Sequence, residues 1–388
     1  MTTPPTQRAR RRPPSPEEIG TLRAALLAHY DRHRRDLPWR GETDPYRVWV
    51  SEVMLQQTRV ETVVPYYRRW LERFPDVEAL ADAAEDDVLL AWQGLGYYRR
   101  ARGLHAGAAV VRERHGGVVP DTVEELRAIP GVGEYTAGAV ASIAFGVPTP
   151  AVDGNVRRVL ARLFDEASPA PTWLRETAGA LVDTERPGDW NQALMELGAT
   201  VCVPRRPRCG ACPVGGWCRA RAAGTEEERP ARVAKKEVPS RTFVTAVVVD
   251  ARRRALVARR RSGGLLARMW AFPDGEVGEG AEGAELHASA CEVAAAAGAA
   301  STAWAASTAW AALAGSQIPG GAADLRMLPP VRHRFTHLDA TYRPVLLAGR
   351  GEDGENRRWI PLEEPWPVAL PVAQQKIARA ARAALAQP

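Results

Sequence analysis

Four of the five cysteines in this 388-residue chain fall within CVPRRPRCGACPVGGWC, residues 202–218, at the spacing C-x6-C-x2-C-x5-C. In a reducing compartment such a group serves as a ligand set rather than as disulfides, because thiols stay free to coordinate. Thiolate ligation by Cys202, Cys209, Cys212 and Cys218 suits either a structural zinc or a cubane iron–sulfur cluster, and spacing alone does not separate them. Arg205, Arg206 and Arg208 crowd between the first two ligands. Upstream, IPGVGEYTAG (129–138) places Gly131 and Gly133 where they permit a tight turn between two helices, with N–H groups of the second helix free to face an anion. That is the geometry of a helix-hairpin-helix phosphate clamp, and a plain helical corner is the competing reading.

The elements that must carry these residues are legible from local signals. Ser15, Pro16 and Glu18 form a capping-box helix start, and Asp44-Pro45 repeats the signal before the long amphipathic run YRVWVSEVMLQQTRVETVVPYYRRWLERF. Asp121 with Glu124 opens another helix, and Asp153 caps NVRRVLARLF. Helical patterning continues to about 200 and the cysteine loop follows. After Cys218 a charged, Pro-containing stretch without apolar periodicity suits a linker. The period then changes to that of strands in TFVTAVVVD, RALVARR and RPVLLAG.

These signals divide the chain into a disordered basic tail (1–15), an all-α domain (16–218) that includes the 202–218 loop, a linker (219–240) and a mixed α/β domain (241–388). Residues 281–325 read as a poorly constrained alanine-rich insertion or helix extension around the duplication STAWAASTAWAA, which is too short to be a solenoid unit. A composition of 45% hydrophobic and 25% charged residues is ordinary for a soluble globular chain. No apolar run of about 18 residues appears and no signal-peptide core follows the N-terminus, so the expectation is a cytoplasmic protein with no membrane partner. Residues 1–218 carry 28 basic and 28 acidic side chains, so the net charge of +6 does not by itself locate a nucleic-acid surface.

The combination of hairpin, VDGNV (152–156) and cysteine spacing resembles the endonuclease III superfamily of DNA glycosylases. Within it, LPWR (37–40), DPYRVWVSEVMLQQT (44–58), GLGYYRRARGLH (94–105) and NQALMELGATVC (191–202) resemble the MutY family of adenine DNA glycosylases across about residues 20–218. The resemblance implies a helix-hairpin-helix glycosylase domain whose loop holds a [4Fe–4S] cluster and aims Arg205, Arg206 and Arg208 at DNA phosphates. It further implies a monomeric base excision enzyme acting on double-stranded DNA with adenine opposite 8-oxoguanine or guanine.

Cleaving the N-glycosidic bond of deoxyadenosine needs an acid for the leaving base and a negative charge for the oxocarbenium-like sugar, so two carboxylates fit. Glu52 lies on a predicted helix with Val48 and Leu55 on its own face, a setting that should raise its pKa. The resemblance makes Glu52 the proton donor that later handles the attacking water, and Asp153 the residue that faces the sugar, electrostatically or covalently, with Asn155 orienting the site. Tyr135 stands where bifunctional relatives carry a lysine; a phenol cannot form their imine, which implies a monofunctional glycosylase. A base in a duplex must be extruded before it is cut. By resemblance Gln57 and Tyr97 enter the stack near the 8-oxoguanine, Leu95 supports the wedge, and Arg40 and Gln192 line the adenine pocket, with Trp39 among the DNA- or substrate-binding residues and Gly131 and Gly133 on the phosphate.

RSGGLLARMWAFPDGEV and RHRFTHLDATYRPVLL resemble the Nudix-like C-terminal domain of the same family, which reads the 8-oxoguanine strand. A Nudix hydrolase needs R-E-x-x-E-E-x-G to hold magnesium. The best register here, CEVAAAAG (291–298), keeps only Glu292 and puts Ala295 and Ala296 at the paired carboxylates, so no phosphohydrolase chemistry is expected. Phe335-Thr336-His337 stands where the family has a Phe-Ser-His reader loop. Alternatives are a related helix-hairpin-helix glycosylase of other specificity and a non-catalytic DNA-binding protein with a metal loop.

Overall fold

The computed structural model of the chain describes residues 15–232, 237–278, 280–301 and 326–386. The basic tail (1–14 of it) and the STAWAA duplication lie outside the described residues. The chain forms two compact units: residues up to 85 together with 99–234, and residues 86–98 together with those from 235 onward. No described helix is long and apolar enough to cross a membrane.

The first unit is built from helices whose starts are written locally. α1 (Pro16–His33) has the expected capping box: Ser15 Oγ accepts from Glu18 N at 3.2 Å while Glu18 Oε2 accepts from Ser15 N at 2.6 Å. α2 (Pro45–Leu55) starts at Asp44, whose carboxylate accepts from Arg47 N. The amphipathic run does not continue through to 73. It breaks at Gln57, which has φ +57°, and resumes as α3 (Val60–Arg73). α4 (Val77–Asp82), α5 (Glu85–Ala91) and α6 (Arg99–His115) follow. α7 (Val123–Ala128) is capped by Thr122 with Glu125, one residue beyond the Asp121–Glu124 pair expected, because the Thr122 hydroxyl accepts from Glu125 N and reaches the Glu125 carboxylate at 2.8 Å.

α8 (Glu134–Phe145) begins after the Gly131–Gly133 turn and α9 (Gly154–Leu163) begins at Asp153. α10 (Pro171–Leu181) and α11 (Pro187–Thr200) complete the bundle before the cysteine loop. Leu22, Leu26 and Tyr30 of α1 pack with Val156, Val159 and Leu160 of α9 and Trp190, Leu194 and Leu197 of α11 in one core. Part of the stretch read as linker is folded. α12 (Arg219–Ala223) buries Ala220, and Arg229 pairs with Asp165 at 2.8 Å, so side-chain contacts supply the order that the missing apolar periodicity did not signal.

The second unit is a mixed sheet sandwiched between helices. β1 (Ser240–Val249), β2 (Arg254–Arg259), β3 (Trp270–Ala271), β4 (Asp274–Val277), β5 (Ala300–Ser301), β6 (Arg326–Met327), β7 (Val331–Arg334), β8 (Asp339–Arg350) and β9 (Arg357–Pro361) take the path β3-β2-β1-β8-β5. β4 joins β1, β6 and β7 join β8, and β9 joins β2. β1 runs parallel to β8 and the other pairings are antiparallel. Strand alternation sends Val244, Ala246 and Val248 toward α13 (Gly283–Ala296), where they meet Leu286, Ala290 and Ala294. Val247 and Val249 face the other layer with Ile377, Ala378 and Ala381 of α14 (Val372–Ala386). The beginning of the alanine-rich stretch is therefore an ordered core helix, since its alanines recur on the buried face.

Gly131 is the position at which the helical turn leaves no choice of residue. Its φ is +81°, and a Cβ there would lie 2.9 Å from Gly103 Cα of α6, backbone against backbone. Gly133 has φ −93° and a Cβ would meet nothing within 4 Å. Gly131→Ala is expected to cost about 1–3 kcal/mol and Gly133→Ala less than about 0.5 kcal/mol in urea unfolding; equal losses would show that the turn does not depend on the Gly131–Gly103 approach.

Candidate active site and cysteine loop

Glu52 sits in the middle of α2 at 5% exposure, and the Tyr135 hydroxyl from the first turn of α8 donates to its Oε2. Gln56 Nε2 donates to Thr136 Oγ1 at 3.1 Å, a second tie between the two helices. Burial pushes the Glu52 carboxyl above its ordinary range; the Tyr135 hydrogen bond and the Arg40 charge oppose that shift, and Asp153 reinforces it. Burial, and then the Glu52 and Asp153 charges, push the Tyr135 phenol far up, so it remains a neutral donor. Four residues separated by over a hundred positions thus share one electrostatic environment.

Asp153 caps α9 with Oδ1 accepting from Val156 N at 2.7 Å, and its Oδ2 accepts from Asn155 Nδ2 at 2.7 Å. Burial raises its carboxyl too, opposed by these hydrogen bonds and by Arg158. The pair therefore combines a carboxyl with one phenolic donor and a carboxyl whose anion is held by a helix N-terminus and an amide. That asymmetry is what an acid and an anionic stabiliser require.

Arg40 donates to Gln192 Oε1 and, at 2.6 Å, to Glu196 Oε2. Arg35 completes the group with bonds of 2.6 and 3.1 Å to the two Glu196 oxygens. Burial opposes ionisation of Glu196, yet Arg35 and Arg40 hold its carboxyl below the usual range. Trp39 is buried with its ring edge-on to Tyr67 at 5.4 Å. Sequence reasoning does not single out Glu196, Arg35, Met195 or Arg100. Met195 Sδ lies 3.3 Å from the Tyr135 hydroxyl. Arg100 donates to the carbonyls of Val53, Met54 and Gln56 at 2.9, 2.8 and 2.5 Å, closing the end of α2 just before Gln57. All but Arg35 lie within the motifs that carry the resemblance, which is the one signal the sequence holds for them.

Gln57 is exposed with a left-handed backbone. Within the second unit Leu95 is buried, while Tyr97 is 45% exposed at φ +49°. Phe335 of the β7–β8 turn is half-buried, edge-on to His333 at 4.4 Å, and Thr336 and His337 are exposed. Cys291, Glu292, Ala295 and Ala296 lie on α13, leaving Glu292 as the single carboxylate of that register.

The cysteine loop is tied to α9. Arg162, 2% exposed, donates to the carbonyls of Cys202, Val203 and Pro204 at 3.2, 2.7 and 3.1 Å, and to Cys202 Sγ at 3.3 Å. Arg158 donates to Cys202 O, Gly198 O and Asn155 Oδ1 at 2.8, 2.8 and 2.9 Å, so it links the loop to the partner of Asp153. Arg205, Arg206 and Arg208 are exposed. None of the four loop cysteines is joined in a disulfide. Burial, and with it the three neighbouring thiols, pushes Cys212 up to about 11. Thiols that raise one another's pKa would need a cationic group among them to be held as thiolates, which is the chemistry of a thiolate-held metal or cluster. Among the described residues no three His, Cys, Asp or Glu side chains converge as ligands of one ion; a cluster of several irons is a larger guest.

The raised Glu52 carboxyl has a consequence for stability. A folded-state pKa above the unfolded one favours the native state at low pH, and that contribution is lost as pH rises through the folded value. Glu52→Gln removes the ionisable group, so its melting temperature should exceed that of the native chain at pH 8 by a few degrees, with the gap closing toward pH 4. A gap independent of pH would mean that the Glu52 carboxyl is not shifted upward.

Family models match three parts of the chain: the HhH-GPD superfamily base excision DNA repair protein over residues 50–182, the iron-sulfur binding domain of endonuclease III over 202–218, and the NUDIX domain over 244–380. The second of these spans the four cysteines, so the group they hold is an iron–sulfur cluster rather than zinc, and four cysteines in this motif support a [4Fe–4S] cluster. Human adenine DNA glycosylase is 36% identical over 425 residues, covering 93% of this chain and 74% of its own. Adenine DNA glycosylase of Mycolicibacterium smegmatis is 48% identical over 204 residues, 51% of this chain and 69% of its own. A solved thermostable thymine-DNA glycosylase superposes with a TM-score of 0.50 at 29% identity over 53% of this chain and 98% of its own. With the human protein the kinship extends across both units and is not confined to one domain: the chain belongs to the adenine DNA glycosylase family of base excision repair enzymes.

Proposed function

We propose that this glycosylase removes adenine opposite 8-oxoguanine or guanine in double-stranded DNA by hydrolysing the N-glycosidic bond, as a monomer and without cutting the strand. The observation that carries the reading is the Tyr135 hydroxyl on the buried Glu52 carboxyl. Burial favours the un-ionised Glu52 carboxyl, the form that can protonate the adenine and, once ionised, accept a proton from the attacking water. Asp153, with Asn155 and Val156 N holding its anion, faces the developing positive charge on the sugar. Tyr135 offers no amine, so no imine with the sugar forms and no lyase step follows.

Extrusion and reading fall to other residues. Gln57 and Tyr97 combine exposure with left-handed backbones, a pairing that suits side chains held ready for a gap in the stack. Arg40 and Gln192 receive the adenine, with Glu196 fixing Arg40. Gly131 and Gly133 leave the N-terminus of α8 open to a phosphate, and Arg205, Arg206 and Arg208 extend that contact. Cys202, Cys209, Cys212 and Cys218 would hold the [4Fe–4S] cluster, which would supply a rigid cross-link for the arginine loop. Phe335, Thr336 and His337 read the opposite base; the Thr336 hydroxyl and the His337 ring are both presented to solvent.

The test is single-turnover base release from duplexes carrying adenine opposite 8-oxoguanine, guanine and thymine, with and without alkali. Adenine should be lost from the first two, and strands should break only after alkali; breakage without alkali would overturn the monofunctional reading. Glu52→Gln should abolish release while leaving duplex binding largely intact. Replacing Thr336 and His337 together by alanine should lower the preference for 8-oxoguanine over guanine by roughly one to two orders of magnitude, since a good base contact is worth about 1–3 kcal/mol. A full preference in that variant would place lesion reading elsewhere.

A further inference from the structure

Residues 86–98 belong by their contacts to the sheet unit although their sequence lies among helices. The attachment is specific. Asp86 Oδ1 accepts from the Arg259 guanidinium and, at 3.1 Å, from the Trp270 indole N–H, while its Oδ2 lies 3.4 Å from Arg358 Nη2. Both guanidinium groups also lie over the Trp270 ring, at 5.0 and 4.8 Å from its centroid. Arg259, Trp270 and Arg358 come from β2, β3 and β9, and β2 pairs with both of the others, so three joined strands build one cradle for a single carboxylate. Seven residues further on, Gln93 Oε1 accepts from Leu370 N at 2.9 Å.

Beyond this second tie the backbone turns sharply: Gly94 has φ +104°, Gly96 +72° and Tyr97 +49°, and Trp92 Nε1 donates to Gly96 O at 3.0 Å. Glycine adopts such angles freely, but Tyr97 does not, so its left-handed backbone must be held by its surroundings. We propose that Asp86, held by the Arg259–Trp270–Arg358 cradle, is a positioning residue for the Gly94–Tyr97 turn, so that the sheet unit sets the pose of the wedge as well as carrying the reader loop. The proposal rests on the reading of Leu95 and Tyr97 as the wedge that accompanies base extrusion. It also assigns the Arg259, Arg358 and Trp270 side chains a task that neither base reading nor adenine chemistry requires.

The experiment uses the full chain and a duplex with 2-aminopurine in place of the adenine opposite 8-oxoguanine, whose fluorescence rises when the base leaves the stack. Asp86→Ala, Asp86→Glu, Tyr97→Ala and the Asp86→Ala/Tyr97→Ala double variant are compared at saturating protein and one salt concentration. Coupling of this kind changes a rate by about tenfold. Asp86→Ala should slow the fluorescence rise by about that factor, Asp86→Glu should restore most of it, and in the Tyr97→Ala background Asp86→Ala should add almost nothing. If Tyr97→Ala slows extrusion and Asp86→Ala does not, or if the two effects multiply, the positioning role is wrong while the wedge reading stands. If Tyr97→Ala leaves extrusion unchanged, the wedge reading itself fails. Should Asp86→Ala not fold, Gln93→Ala, which cuts the second tie, takes its place in the same cycle: slowing that disappears in the Tyr97→Ala background supports the positioning role, and slowing that multiplies with Tyr97→Ala, or no slowing, overturns it.

Discussion

A carboxyl group kept out of water in the middle of a helix is the constraint around which the first unit is arranged. Solvent around Glu52, or a bare cation beside it, would favour its ionised form. The surroundings limit both. α2 is buried along most of its length, and its two ends are fixed by Asp44 at the start and by Arg100 on the last carbonyls. The cation that acts on Glu52 is Arg40, and its charge is shared with Glu196, which Arg35 also holds. The Arg35–Glu196–Arg40 group therefore does more than hold the polar residues around Gln192. It limits how strongly Arg40 can favour the Glu52 anion.

The same economy of contacts connects the cysteine loop to Asp153. α9 begins at the aspartate and, between one and three turns later, presents Arg158 and Arg162 to the carbonyls at the loop's entrance. Removing order from residues 202–204 would leave a guanidinium group at 2% exposure without its acceptors, and a buried charge without partners is strongly destabilising. The loop is thereby a support for the helix that Asp153 caps as well as the carrier of three exposed arginines. Arg158 reaches both Cys202 O and the side chain of Asn155, so the two roles share a residue.

What could be read in the sequence was the information stored within three or four residues. The Ser15 and Asp153 caps, the glycine turn before α8 and the strand periodicity are all of this type, the cysteine spacing extends it over the single loop 202–218, and the departure at Ala295 and Ala296 is visible for the same reason. The break at Gln57 was hidden because apolar periodicity runs on through it, and its cause, Arg100 on the end of α2, lies 44 residues away from Gln56. Glu196 looks like one polar residue of a helix until Arg35 and Arg40 are brought to it. The assignment of residues 86–98 to the sheet unit was beyond local reading, since an aspartate at the start of a helix is ordinarily a cap and nothing nearby announces three partners from β2, β3 and β9. The shift of the Thr122 cap by one residue is the scale of error expected where two candidate caps adjoin.

The proposed chemistry stands on Glu52 being un-ionised near neutral pH in the folded protein. Infrared difference spectroscopy between the native chain and Glu52→Gln, recorded across pH 4 to 9, observes this group directly. The carbonyl stretch of a protonated carboxylic acid should be present in the native protein at neutral pH, absent from the variant, and replaced by carboxylate bands only as the pH rises further. A difference spectrum showing carboxylate bands alone from pH 5 upward would contradict a proton-donating Glu52.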